Sequence, residues 1–254
     1  MSVPRLRLMF DVGRGAGKLI DIPRLLLTHG HLDHSSGLPY YISQRCLRRL
    51  PPADIYCPPE IFEPLSKIMR LWSEIEQYEM QYNLQPIDYN RFYELQGNMG
   101  FRAIRSIHRV PSNGYCIIQR TKKLKAEFLG LPGHEIQRLK LERDDLFYEA
   151  EIPMITFSGD TQIEFVLENE LVRSSRVLFM ECTYICDRRP TERARRWGHT
   201  HLDEIVSNAD AFADVEHLFL IHFSTRYKRE TILKTLKERL PDWLHERTTA
   251  FLTA

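Results

Sequence analysis

Residues 24–37 read RLLLTHGHLDHSSG: a Leu-rich run, then three histidines and an aspartate within six positions. Arg24 to Thr28 is short, apolar and preceded by Pro23, the pattern of a strand covered on both faces. Such a strand should run into a turn, and this one runs into His29, His31, Asp33 and His34. The chain has only 10 histidines in 254 residues, so three in one loop is more than a solvated turn requires. Neutral imidazoles and carboxylates without thiolates suit zinc, manganese or iron in a catalytic role, whereas structural zinc usually recruits cysteine.

Composition narrows the field. At 43% hydrophobic, 254 residues suffice for one large core, so a single domain over 1–254 is expected. A charged fraction of 27% and a formal net charge of +1 exclude general grip on polyanions, leaving only a local basic cluster for that task. No run of 18 apolar residues suggests a membrane span, and the N-terminus lacks the apolar stretch of a signal peptide. Five scattered cysteines without a CxxC pair point to a reduced, cytoplasmic setting.

Strand patterns occur at Leu6 to Asp11, Arg24 to Thr28, Asp54 to Cys57, Phe101 to Ile107, Tyr115 to Arg120, Pro153 to Phe157, Arg176 to Met180 and His217 to Ile221. Amphipathic helix patterns alternate with them, at Glu60 to Gln81, His201 to Phe212 and Lys228 to Leu240, so the class is α/β. Four strands end on a residue able to hold a metal or move a proton: His29, Asp160 (in SGDT), Glu181 and His222. In α/β sheets ligand sites form where the carboxyl ends of strands meet the following loops.

These pieces carry a family resemblance. HGHLDH (29–34) fits the HxHxDH motif of the metallo-β-lactamase superfamily. FDVG (10–13), HRVPSNGY (108–115), SGDT (158–161) and HFSTRY (222–227) match in order. Together they resemble ribonuclease Z, the zinc-dependent tRNA 3′-processing endonuclease. The resemblance implies a four-layer αββα sandwich and two zinc ions, with manganese or iron as alternatives. His29, His31 and His108 would hold one ion, Asp33, His34 and His222 the other, with Asp160 bridging and Asp11 orienting a ligand histidine. Such a pair lowers the pKa of a bridging water, and the hydroxide attacks phosphorus in line. The resemblance also implies a catalytic set of Asp33, Glu181 and His199. A Glu in a segment like ECTY and a His in one like GHTH would together protonate the leaving oxygen.

The substrate implied is precursor RNA, in a homodimer. A hydrolase of a small phosphodiester, cyclic nucleotide or lactone on the same fold is the alternative. Two RNA-holding parts of such proteins are reduced here. Such proteins usually open with a β-hairpin before FDVG, which here starts at residue 10; a misplaced start, a truncation or a first sheet shortened at the N-terminus would each account for this. The segment between Arg120 and Ser158 is too compact for the usual protruding arm. Arg188, Arg189, Arg193, Arg195 and Arg196 in CDRRPTERARRWGH, with Ser224 and Arg226, remain as candidates for phosphate, and Trp197 for stacking on a base. On Glu60 to Gln81, Ile61, Leu65, Ile68, Trp72 and Ile75 form one apolar stripe, expected to be buried, which Met69 and Leu71 join. One buried face does not readily take Leu71 together with Tyr78 and Tyr82, so a second apolar contact is expected, within the chain or with a partner copy.

Overall fold

Leu25, Leu26 and Leu27 are fully buried, as a strand covered on both faces requires. The computed structural model describes residues 1–15, 17–186 and 188–252. Among these, twelve strands form two sheets. The first has the order β1–β2–β3–β4–β5: β1 (Ser2–Val3), β2 (Leu8–Phe10), β3 (Arg24–Leu26), β4 (Ala53–Cys57) and β5 (Tyr82–Pro86). β1 is antiparallel to β2, and the rest are parallel. The second sheet contains β6 (Tyr93–Glu94), β7 (Met99–Ser106), β8 (Ser112–Leu124), β9 (Phe147–Phe157), β10 (Val177–Glu181), β11 (His217–Ile221) and β12 (Thr248–Ala250), ordered β12 to β6. β6 to β9 run antiparallel and β9 to β12 parallel.

Strand alternation sorts the side chains into layers. Leu26 and Phe10 face the second sheet and join Phe101, Tyr115, Ile117 and Phe157; Phe10 stacks on Phe157 with centroids 4.8 Å apart. Leu25 and Leu27 point the other way, onto Tyr41, Ile42, Leu65 and Met69 of the Leu38–Leu47 and Pro59–Glu76 helices. On the far side of the second sheet, Cys116, Ile118, Leu178, Met180, Leu218 and Leu220 meet Phe165, Ile205, Ile232 and Leu236. The order is helix, sheet, sheet, helix: the four-layer αββα sandwich. Truncating a fully buried leucine such as Leu26 to alanine would cost about 2–5 kcal/mol.

Several elements differ from the sequence reading. The helix expected to reach Gln81 stops at Glu76, where Gln77 turns left-handed (φ 57°), and the chain continues into β5 with Tyr82. Its buried row is Leu65 and Met69, one i,i+4 ridge laid on the sheet; Ile68 and Ile75 are exposed. The helix expected over 201–212 breaks into Leu202–Ser207 and a 3₁₀ turn, Ala209–Phe212. β8 and β9 extend far beyond the expected ends into a long hairpin capped by the Gly133–Glu142 helix. Glu151 anchors that hairpin by accepting hydrogen bonds from Arg102 (2.8 and 2.9 Å) and Arg120 (2.9 and 3.2 Å).

Candidate active site

The two sheets are joined where their strands end. Asn113 N–H donates to Thr28 O at 2.9 Å, and His29 forms a β-bridge with Ser112, bringing the end of β3 against the start of β8. His31 precedes the short Leu32–Ser35 helix, which carries Asp33 and His34. His108 occupies the turn between β7 and β8, Asp160 the loop after β9, and Glu181 the last position of β10. Asp11 and His222 each follow directly on a strand, and both adopt the left-handed backbone (φ 51° and 60°) without being glycine. Gly159 turns the chain before Asp160 with φ +60°; a Cβ there would lie 2.8 Å from the Thr28 Cβ.

All seven residues proposed as ligands converge. Ligand atoms of His29, His31, His108 and Asp160 lie within 4.8 Å of one another, as do those of Asp33, His34 and His222. Asp160 sits between the groups: its Oδ2 is 3.8 Å from His29 Nε2, and its Oδ1 is 3.5 Å from His34 Nε2 and 3.4 Å from His222 Nε2. The back nitrogens of four histidines are tied down. His29 Nδ1 meets Thr28 Oγ1 at 3.0 Å, His34 Nδ1 meets Asp11 Oδ2 at 2.7 Å, His108 Nδ1 donates to Gly198 O at 2.7 Å, and His222 Nδ1 meets Thr183 Oγ1 at 2.9 Å. This sets each ring's orientation, as ligand histidines require. Asp11 also accepts from Thr28 N–H and Thr28 Oγ1 at 2.7 and 2.9 Å.

His29 Nε2 and Asp160 Oδ1 are fully buried and without a hydrogen-bond partner among the described residues. An unsatisfied buried polar atom costs about 1–3 kcal/mol, more when charged, and a divalent cation among these nitrogen and oxygen donors would satisfy both. The donor set therefore fits a metal. Burial, reinforced by neighbouring imidazoles, pushes the His29 pKa far down and lowers that of His108 to about 4, keeping both neutral near pH 7. Burial raises Asp160 despite His222 and His34. Burial also depresses His222, but the nearby Asp160 and Asp33 carboxylates outweigh it and lift the pKa to about 9. Asp33 is held low chiefly by the His222 imidazole, 3.6 Å away.

Glu181 and His199 also meet. The Glu181 carboxylate, fully buried, accepts from Thr161 N–H (3.0 Å) and His199 Nδ1 (2.9 Å) on one oxygen, and from Thr183 N–H (3.1 Å) and Thr183 Oγ1 (2.7 Å) on the other. Burial alone would raise its pKa; the His199 hydrogen bond and the other donors hold it below the ordinary value. His201 stands apart: it is buried and caps the Leu202–Ser207 helix, accepting from Asp203 N–H at 3.0 Å.

The phosphate candidates fare unevenly. Arg195 pairs through Nη2 with Glu164 at 2.8 Å and through Nε with Glu204 at 2.6 Å, which compete with any phosphate for its guanidinium. Arg189 lies 5.8 Å from the Tyr184 ring centroid, while Arg188, Arg193 and Arg196 are exposed. A cleft of about 850 Å³ opens beside Asp33, His34 and His222; Ser224 and Arg229 line it, and Arg226 does not. Thr28 and Thr183, whose hydroxyls meet His29 Nδ1 and His222 Nδ1, escape sequence reading because a threonine carries no signal of its own and Thr183 lies 39 positions from its histidine.

Residues 13–223 match the beta-lactamase superfamily domain, the class that this fold and centre define. At the level of fold, the chain resembles the metallo-beta-lactamase fold protein YhfI from Bacillus subtilis (TM-score 0.61, 14% identity, 92% of this chain and 80% of that one). It also resembles human tRNase Z, short form (TM-score 0.58, 19% identity, 86% and 82%). It is 34% identical over 226 residues to tRNase Z TRZ1 of Arabidopsis thaliana, covering 88% of this chain and 80% of the relative. To the chloroplastic tRNase Z TRZ2 of the same plant it is 35% identical over 238 residues, covering 91% and 67%. The chain belongs to the tRNase Z, or ribonuclease Z, family, and is a hydrolase of the endoribonuclease class. No helix among the described residues is long and apolar enough to cross a membrane.

Proposed function

We propose that this chain is a dimetal phosphodiesterase that cuts precursor tRNA at its 3′ side. The observation that carries this reading is Asp160, a buried carboxylate between two histidine groups with one oxygen unpartnered. His29, His31 and His108 would hold one ion and Asp33, His34 and His222 the other, with the Asp160 carboxylate between the two groups. A site so occupied, by two zinc ions or by manganese or iron, would supply Lewis acidity toward the scissile phosphate and a water of near-neutral pKa. Asp11 fixes the His34 ring through Nδ1. Asp33, its side chain 68% exposed toward solvent, is placed to take the proton of the attacking water. Glu181 locks His199 through Nδ1, so that Nε2 gives its proton to the oxygen that leaves as the phosphorus–oxygen bond breaks.

A second reading, a hydrolase of small phosphodiesters, has one observation in its favour. The β8–β9 hairpin that extends from the body carries six Lys or Arg and seven Asp or Glu over residues 121–152, and so offers no basic surface to RNA. A side-by-side assay of metal-loaded protein on precursor tRNA and on bis(p-nitrophenyl) phosphate decides between them. Cleavage of the ester without any cut in the tRNA would remove the RNA assignment.

The protein acts as a homodimer in this proposal, through the outer face of the Pro59–Glu76 helix. Ile68, Leu71, Trp72 and Ile75 are exposed there as one apolar stripe, the largest such feature on that helix. Light scattering at tens of micromolar should give twice the chain mass and, for Trp72→Asp, the chain mass alone; a monomeric wild type refutes it.

A further inference from the structure

Arg105, Arg109 and Arg195 each lie within four residues of His108 or His199 in sequence, and they are not equivalent. Arg105 is 3.4 Å from Glu60, and Arg195 is held by Glu164 and Glu204. Arg109 is exposed and makes no ion pair with a carboxylate among the described residues. Its guanidinium instead lies over the Trp197 ring, 4.5 Å from the centroid. A guanidinium stacked on an indole keeps its five N–H groups free at the edge while losing much of its conformational freedom.

The stack is built from the catalytic segments themselves. Arg109 follows His108, and Trp197 lies two residues before His199. Gly198 joins them: a Cβ there would sit 2.7 Å from Arg109 N and 2.8 Å from His108 Cα, and its carbonyl accepts from His108 Nδ1. With φ +74° and no side chain, Gly198 lets the two loops approach until indole and guanidinium overlap. The stack therefore stands at the rim between His108 and His199.

We infer that Arg109, positioned by Trp197, binds a phosphate of the RNA chain adjacent to the scissile one. This assignment rests on the RNA reading above. A carboxylate-free arginine beside a hydrolytic phosphodiester centre suits a bidentate contact to phosphate oxygens. The covered indole face is unavailable for a base, so Trp197 acts as a support for Arg109 on that side.

The test compares a fluorescein-labelled RNA hairpin bearing a 3′ extension with bis(p-nitrophenyl) phosphate, which has no neighbouring phosphate. In metal-loaded protein, Arg109→Ala should raise KM for the RNA about 10–100-fold with kcat within a few-fold, and the loss on the ester should be at least tenfold smaller. By anisotropy in the His199→Ala background, which holds the RNA largely uncleaved, adding Arg109→Ala should flatten log Kd against log[salt] by about 0.7–0.9, one phosphate contact. Arg109→Lys should restore the slope and only part of KM. Trp197→Ala should raise KM in the same direction and add little to Arg109→Ala. An unchanged salt slope, or equal losses on both substrates, overturns the assignment. Wild-type protein that hydrolyses the ester yet neither binds nor cuts the RNA overturns the RNA reading as well, and the two failures are told apart.

Discussion

Replacing His199 by alanine separates proton delivery from metal holding. Glu181 keeps three of its four donors in that variant, the Thr161 and Thr183 N–H groups and the Thr183 hydroxyl. What is lost is one charge-assisted hydrogen bond, about 1.5–3 kcal/mol, which a domain of typical stability survives. The catalytic loss should be larger. Removing a general acid typically lowers rate 10²–10⁴-fold, equivalent to about 2.7–5.4 kcal/mol at 1.36 kcal/mol per tenfold. That full loss should appear on RNA, whose departing ribose oxygen needs a proton. It should shrink to a few-fold on bis(p-nitrophenyl) phosphate, whose p-nitrophenolate leaves unprotonated. Metal content by elemental analysis should stay at wild-type level. Equal losses on both substrates would refute proton delivery by His199. So would loss of metal, because Asp160, His199 and His222 also offer ligand atoms within 4.8 Å of one another and His199 would then be a ligand.

Asp160→Ala should lose both ions and all activity, since its carboxylate faces both histidine groups; full metal occupancy by elemental analysis would remove its bridging role. Asp11→Asn should weaken the affinity of the His34 ion about 10–100-fold, read by competition with a chelating dye, because a neutral amide replaces the carboxylate that meets His34 Nδ1. Glu151 should make the hairpin acid-sensitive. Its carboxyl is held below the ordinary value by Arg102, against partial burial, with Arg120 adding to the effect. The folded pKa is thus lower than the unfolded one, about 4.3. The stabilisation is complete above that value and fades as pH falls through the folded pKa. The Tm gap between wild type and Glu151→Gln should be flat from pH 6 to 8 and narrow in acid; a gap that widens in acid contradicts this sign.

The residues that converge here were visible in the sequence because their chemistry is carried by type and position. A histidine, aspartate or glutamate at or just beyond the end of an apolar run is placed at the carboxyl end of a strand, and here those ends of the two sheets meet. His29, Asp160, Glu181 and His222 were found this way, and His199 was separable from His201 only through the family resemblance. Facts that depend on a partner distant in sequence were not legible. Arg195 looked available because Glu164 and Glu204 become its neighbours only in the folded chain. The inward face of the Pro59–Glu76 helix is ambiguous in sequence because Ile61, Leu65 and Met69 compete with Ile68, Trp72 and Ile75 as equally good stripes. Tertiary packing on Leu25 and Leu27 selects one. β5, β6 and β12 are short, and Tyr82–Pro86 and Thr248–Ala250 lack the apolar alternation that would announce them.

The left-handed turns at Asp11 and His222 have a consequence for how the protein survives as well as how it reacts. For a residue with a side chain this conformation costs roughly 1–2 kcal/mol, and here it falls on two positions that serve the centre. Backbone strain and two buried unpartnered atoms, His29 Nε2 and Asp160 Oδ1, thus fall at the same place. Ligand binding stabilises a fold by about 2.7 kcal/mol at a hundredfold excess over Kd, enough to outweigh much of that. In a cell short of metal the idle enzyme would therefore open more often and be cleared by proteases. Its abundance, and not only its turnover, would follow the supply of its ions.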